Sequence, residues 1–112
     1  MTIFQKIIDK EIPADIVFED DNVLAFRDIN PQAPVHVLVI PKRPIVTVAD
    51  VTAEETTLMG QLVVAAAHVA RELGVDESGY RLVVNHGQHG GQSVFHMHVH
   101  ILAGRQLGWP PG

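Results

Sequence analysis

The sequence predicts an α+β fold, with a five-stranded antiparallel sheet, one long helix and one short helix in a single domain spanning residues 1–112. Three observations carry this. Five short runs of aliphatic and β-branched residues are separated by turn-forming clusters at hairpin-like spacing. One segment places apolar residues at helical spacing between a capping box and a glycine. Hydrophobic residues make up 46% of the chain, enough for a core at 112 residues, though not a large one.

The elements follow in order. Thr2 is placed to cap a short helix in which Ile3, Phe4, Ile7 and Ile8 are apolar, and Pro13 ends it. Ile16-Val17-Phe18 and Val23-Leu24-Ala25-Phe26 read as strands joined by the turn Asp20-Asp21-Asn22. Ile29 to Pro34 is a loop, and Val35 to Ile40 is a third strand stopped by Pro41 and Pro44. Thr52-Ala53-Glu54-Glu55 is a capping box opening the main helix. Its stripe runs through Leu58, Met59, Leu62, Val63, Ala66, Val69, Ala70 and Leu73, and Gly74 closes it. Ala65-Ala66-Ala67 makes part of that helix slim, which suits core packing or close approach of another helix. Arg81 to Asn85 is a fourth strand, His86 to Gln92 a glycine-rich loop, Val94 to Leu102 a fifth strand, and Gly104 to Gly112 a Gly- and Pro-rich tail.

The fifth strand carries the chemistry. In His96-Met97-His98-Val99-His100-Ile101-Leu102 the histidines occupy every second position. An extended chain sends alternate side chains to opposite faces, so the three imidazoles share one face and Met97, Val99 and Ile101 the other. A helix would separate them. Same-face neighbours lie about 6.6 Å apart along a strand, so adjacent imidazoles can converge on one small group. Imidazole titrates near neutral pH, transfers protons and attacks as a nucleophile.

Composition narrows what that group is. The chain has no cysteine, which excludes disulfides and thiolate metal sites and suits a reducing compartment. No signal peptide or membrane-spanning run is evident, so a cytoplasmic protein with no membrane association is expected. All thirteen acidic residues fall between Asp9 and Glu77, whereas Arg81, Arg105 and five of the seven histidines follow Ser78. An anion meets little repulsion in that last segment. The net charge of −5 gives no basic patch for nucleic acid, so a small phosphate-bearing ligand is the better fit.

Phosphate and metal are the two candidates. A His-x-His strand can supply two zinc ligands, with His36 as a third. Such sites usually orient their histidines with carboxylates, and none lies near this row in sequence, although Asp28 could fold in. The phosphate reading draws on His89-Gly90-Gly91-Gln92-Ser93, which leads directly into the row. Glycines let main-chain N–H groups approach an anion, and Gln92, Ser93 and Asn85 add side-chain donors. The corresponding chemistry is attack of one imidazole on phosphorus, stabilisation of the phosphoryl oxygens by neighbouring donors, and proton donation to the leaving group.

The chain resembles the histidine triad (HIT) family, specifically its Hint branch. The family motif is His-φ-His-φ-His-φ-φ, with φ apolar, and His96 to Leu102 fits it at every position. The likeness also covers Ile3 to Ile8, Glu11 to Ala14, Phe18 to Asp21, Ala25 to Ile29, Pro31 to Pro34, His36 to Lys42, Tyr80 to Asn85, Gly90 to Val94 and Gly104 to Gly112. The resemblance implies a homodimer whose sheets join into ten strands. It implies hydrolysis of purine nucleoside 5′-phosphoramidates to AMP or GMP. His98 would be the nucleophile and His100 would contact the phosphate, with His96 and His36 in support. Asn85, Gly91, Gln92 and Ser93 would surround the phosphate and leaving group. Asp28 would accept hydrogen bonds from the ribose, and Ile29, Phe26, Phe4 and Ile7 would line the base pocket. Trp109 would reach the partner subunit's site. His68 is expected to be structural or exposed, and His86 and His89 receive no role. No cofactor is required, and zinc, bound by some members, is not expected to be catalytic. Cleavage of dinucleoside polyphosphates, a non-enzymatic nucleotide-binding scaffold and a metal-dependent hydrolase are the alternatives.

Overall fold

The computed structural model describes all 112 residues. Helix α1 spans Ile3–Ile8 and the long helix α2 spans Thr56–Glu72. The strands are β1 (Ile16–Glu19), β2 (Val23–Arg27), β3 (Val35–Pro41), β4 (Tyr80–Val83) and β5 (Val99–Ala103). They form one sheet in the order β1-β2-β3-β5-β4, and every neighbouring pair is antiparallel. The expected α+β architecture is therefore present. Neither helix is long and apolar enough to cross a membrane.

Local signals act where the sequence places them. The Thr2 hydroxyl accepts the Gln5 N–H at the start of α1. Asp20 accepts the N–H groups of both Asn22 and Val23, which closes the β1–β2 turn. Thr52 and Glu55 form the capping box, but Ala53–Glu55 winds as a 3₁₀ turn, so α2 itself begins at Thr56. Gly74, with φ +73°, ends α2 in the left-handed region.

Helices pack on both faces of the sheet. Val23, Ala25, Val37, Val39, Val99 and Ile101 pack against Leu62, Ala65, Ala66 and Val69 of α2. Ala65 and Ala66 are buried there, so the slim stretch lets α2 lie close on the sheet. On the other face Leu24, Phe26, Leu38 and Ile40 meet Phe4 and Ile7 of α1. Helix α1 covers only part of this face, and the space beside it becomes the site.

Two strand boundaries differ from expectation. The fourth strand is Tyr80–Val83 rather than Arg81–Asn85. The fifth begins at Val99, five residues later than the pattern suggests. Its partner β3 ends at Pro41, which has no N–H for a ladder. The Met97 N–H instead donates to the Ile45 carbonyl at 2.7 Å. Residues 96–98 therefore keep the alternation of a strand without its ladder. Met97 is buried in the α2 core with Val99 and Ile101, while His96 and His98 lie against Phe4.

Candidate active site

Register brings four histidines together. His100 lies opposite Leu38 and His36 opposite Leu102 in the β3–β5 ladder, so both imidazoles rise from the face that α1 partly covers. The His36 Nε2 and His100 Nδ1 atoms are 2.9 Å apart. The rings of His98 and His100 lie 4.9 Å apart at 65°. Phe4 sets its ring edgewise to His98 at 5.1 Å, which links α1 to the row.

Main-chain carbonyls orient the first two members of the row. A carbonyl oxygen only accepts, so the ring nitrogen facing it must carry the proton. His98 donates from Nδ1 to the carbonyl of His96 at 2.8 Å, and its Nε2 keeps a lone pair. His96 donates from Nε2 to the carbonyl of Pro41 at 2.7 Å. His96 thus sits behind His98 as part of its support. Burial lowers the pKa of His96 and of His36, against the hydrogen bond His96 donates to the Pro41 carbonyl and the charge of Asp28 beside His36. His100 is pushed down to about 4 by burial and then by repulsion from His98 and His36.

A cleft of about 470 Å³ opens over these rings, within the usual size of small-molecule sites. It is lined by nine of the residues expected there: Phe4, Ile7, Phe26, Asp28, Ile29, His36, Ser93, His98 and His100. Phe4, Ile7 and Phe26 are buried and give it an apolar wall, whereas Ile29 stands almost fully exposed at its mouth. The sequence reasoning missed Ile12, Ala14, Leu38 and Gln32, which also line it. Leu38 was legible, because it alternates with His36 on the same strand.

Other expected residues lie outside the cleft. Gln92 was expected to donate to phosphate, but its buried side chain is committed to the loop. Its amide donates to the carbonyls of Val46 and Val94 and its oxygen accepts the Gly87 N–H. Asn85 donates to the Gly90 carbonyl at 2.7 Å and closes the same loop. Gly91 has φ +75°. A Cβ on Gly90 would fall 2.2 Å from the His86 carbonyl oxygen, so that glycine is required for close approach. Trp109 is exposed and does not line its own chain's cleft. His68 is half-exposed on α2 beside Phe18 and Glu72, and His86 bonds the Thr47 hydroxyl.

Asp28, His36 and His100 place one potential ligand atom each within 4.8 Å of one another, a span compatible with a metal ion. Asp28 Oδ2 lies 3.6 Å from His36 Nε2. The 2.9 Å separation of the two imidazole nitrogens is equally a hydrogen bond.

With this histidine row and its half-apolar cleft in view, the chain is similar to known proteins along nearly its whole length. The HIT domain profile matches residues 9–107. The chain belongs to the HIT family. It is 55% identical over 107 residues to the purine nucleoside phosphoramidase of Escherichia coli strain K12, covering 96% of this chain and 90% of that protein. An uncharacterised HIT-like protein of Synechococcus elongatus is 58% identical over 111 residues, or 99% of this chain and 96% of that one. Among solved structures, a HIT family hydrolase from Legionella pneumophila Philadelphia 1 superposes with a TM-score of 0.98 at 51% identity, covering 100% of both chains. The Legionella relative is described as a hydrolase and the Escherichia coli one as a phosphoramidase, and His98 and His100 of this chain's HIT motif line its cleft.

Proposed function

We propose that the protein hydrolyses purine nucleoside 5′-phosphoramidates through a covalent nucleotidyl-histidine intermediate, releasing AMP or GMP. The observation that carries this reading is the orientation of His98. Its Nδ1 proton is spent on the His96 carbonyl, so Nε2 offers its lone pair beside a cleft of nucleotide size. The likeness to a purine nucleoside phosphoramidase supports the bond type.

In the proposed reaction the base lies against Phe4, Ile7 and Phe26. The ribose hydroxyls donate to Asp28, and the phosphate meets Ser93 and His100. The His98 Nε2 lone pair forms a bond to phosphorus as the substrate P–N bond breaks. The departing nitrogen takes a proton from a water held by the His100 Nε2–H and the Ser93 hydroxyl. The hydroxide so formed attacks phosphorus and the bond to Nε2 breaks, which returns the His98 lone pair. Protein hydrogen-bond donors meet the phosphoryl charge, so the proposed steps call on no metal.

The homodimer is part of the proposal. Strand β4 is a sheet edge with a free ladder and exposed Tyr80 and Leu82, Val84 is exposed just beyond it, and Val63 and Val64 are exposed on α2. Pairing of two such edges would build the ten-stranded sheet. Arg81 of β4 donates to the Gly108 carbonyl at 2.6 Å and draws the tail with Trp109 along that edge, towards a second copy.

Rapid quenching of the protein with an adenosine phosphoramidate tests the reading. Mass spectrometry is expected to show an adenylyl adduct that peptide mapping places on His98. Turnover without any adduct at that position would overturn it. Asp28 gives a second test. Its Oδ1 holds the Asn30 N–H, a bond an asparagine side chain retains. Asp28→Asn is expected to raise KM for the ribonucleotide substrate about 10- to 100-fold, the value of hydrogen bonds to a charged acceptor. The 2′,3′-dideoxy analogue should be unaffected. Equal losses for both would remove the carboxylate from the ribose.

A further inference from the structure

We propose that the main-chain N–H of Gln32 is a positioning group that sets the tautomers of His36 and His100, so that His100 presents a protonated Nε2 to the cleft. The inference rests on the function above for its use, but not for its test. Gln32 N–H points at His36 Nδ1 with N···N 3.0 Å. A backbone N–H only donates, so His36 Nδ1 must accept, and a neutral His36 carries its proton on Nε2. That nitrogen faces His100 Nδ1 at 2.9 Å. His36 is then the donor and His100 Nδ1 the acceptor, which leaves the His100 proton on Nε2. No protein group meets His100 Nε2, so it is free for a ligand. One backbone amide thereby decides the polarity of a two-ring chain.

The loop is built to hold that amide still. Asp28 N–H donates to the His36 carbonyl at 3.0 Å and Asp28 Oδ1 takes the Asn30 N–H at 2.8 Å. The Gln32 side chain donates to the Asn30 carbonyl, and Arg105 from the tail donates to the Gln32 carbonyl at 3.2 Å. Pro31 and Pro34 stiffen the turn and carry no N–H of their own. The groups facing His100 are His36, His98 and Asp28, with Leu38 across the ladder. Protonating His100 at Nδ1 would oppose two N–H groups, in accord with its depressed ionisation. His100 is therefore a neutral donor at physiological pH. The same assignment leaves neither His36 nor His100 a free lone pair for a cation, so of the Asp28, His36 and His100 cluster only the carboxylate is available while the clamp holds.

Long-range 1H–15N correlation of the imidazoles in the uniformly 15N-labelled, ligand-free protein reads each tautomer directly. At pH 7 the expected result is a proton on Nε2 in His36 and His100, with His98 showing Nδ1–H in the same spectrum. A Nδ1 proton on either His36 or His100 overturns the proposal. Gln32→Ala keeps the amide and is expected to leave both tautomers unchanged. Gln32→Pro removes it and is expected to mix the His36 tautomers and raise the His100 pKa by a unit or more. A folded Gln32→Pro protein that titrates like its parent also overturns the proposal. If that variant does not fold, the parent spectrum decides. No substrate enters these measurements, so the clamp and the phosphoramidase reading can fail separately.

Discussion

His98→Asn is expected to lower phosphoramidate turnover by about 10⁴- to 10⁶-fold, the scale seen when an enzyme loses its nucleophile. The substitution is chosen to remove reactivity and little else. An asparagine amide can still donate to the His96 carbonyl that now takes the His98 Nδ1–H at 2.8 Å. It also leaves Phe4 and the β3–β5 ladder in place. What it lacks is the lone pair of Nε2, and with it the only route to the proposed P–N intermediate. Steady-state kinetics with an adenosine phosphoramidate, together with the adduct experiment, measure the loss. Thermal unfolding should stay within a few degrees of the parent. Turnover within tenfold of the parent would sink covalent catalysis at this residue. Residual activity far above the uncatalysed rate is still expected, because the cleft and the phosphate donors persist.

Ile101→Ala is expected to destabilise the protein by about 3–4 kcal/mol, within the range for large-to-small changes in packed cores. Ile101 is three residues beyond His98 in the same motif but points the other way. It is wholly buried in the interior strand β5, between Val37 and Leu82 in the ladder and under α2. Truncation removes its packing and leaves a cavity that the strands on either side cannot collapse to fill. Native domains are stable by only about 5–15 kcal/mol, so the loss is a large share. Urea unfolding should show a lower midpoint with an unchanged slope. Below the transition, kcat should remain within a few-fold of the parent, since the side chain faces away from the cleft. A loss under 1 kcal/mol would mean that the two faces of the motif are wrongly assigned.

These two residues also show how much is legible in the sequence. The alternation in His96 to Leu102 is enough to assign both faces, because an extended chain leaves a side chain only two directions. The caps at Thr2, Thr52 and Gly74 are legible for a similar reason, since each answers a local hydrogen-bonding or φ requirement. Gln92 is misread. A polar residue next to a glycine pair looks like a phosphate donor, and nothing nearby in sequence says that Val46 will claim its amide. The start of β5 is misplaced because a ladder needs a partner, and the partner ends at Pro41.

By itself the sequence determined the class of fold, the row of three imidazoles and the opposite, core-forming stripe, all of which depend on residues close together in the chain. The tertiary structure alone decided what those imidazoles are. Placing the last strand between β3 and β4 sets His36 beside His100, 64 residues apart, and lets Gln32 and Pro41 choose where protons sit. The physical reason is that a tautomer depends on the partner at hydrogen-bond distance, and only the folded chain supplies that partner.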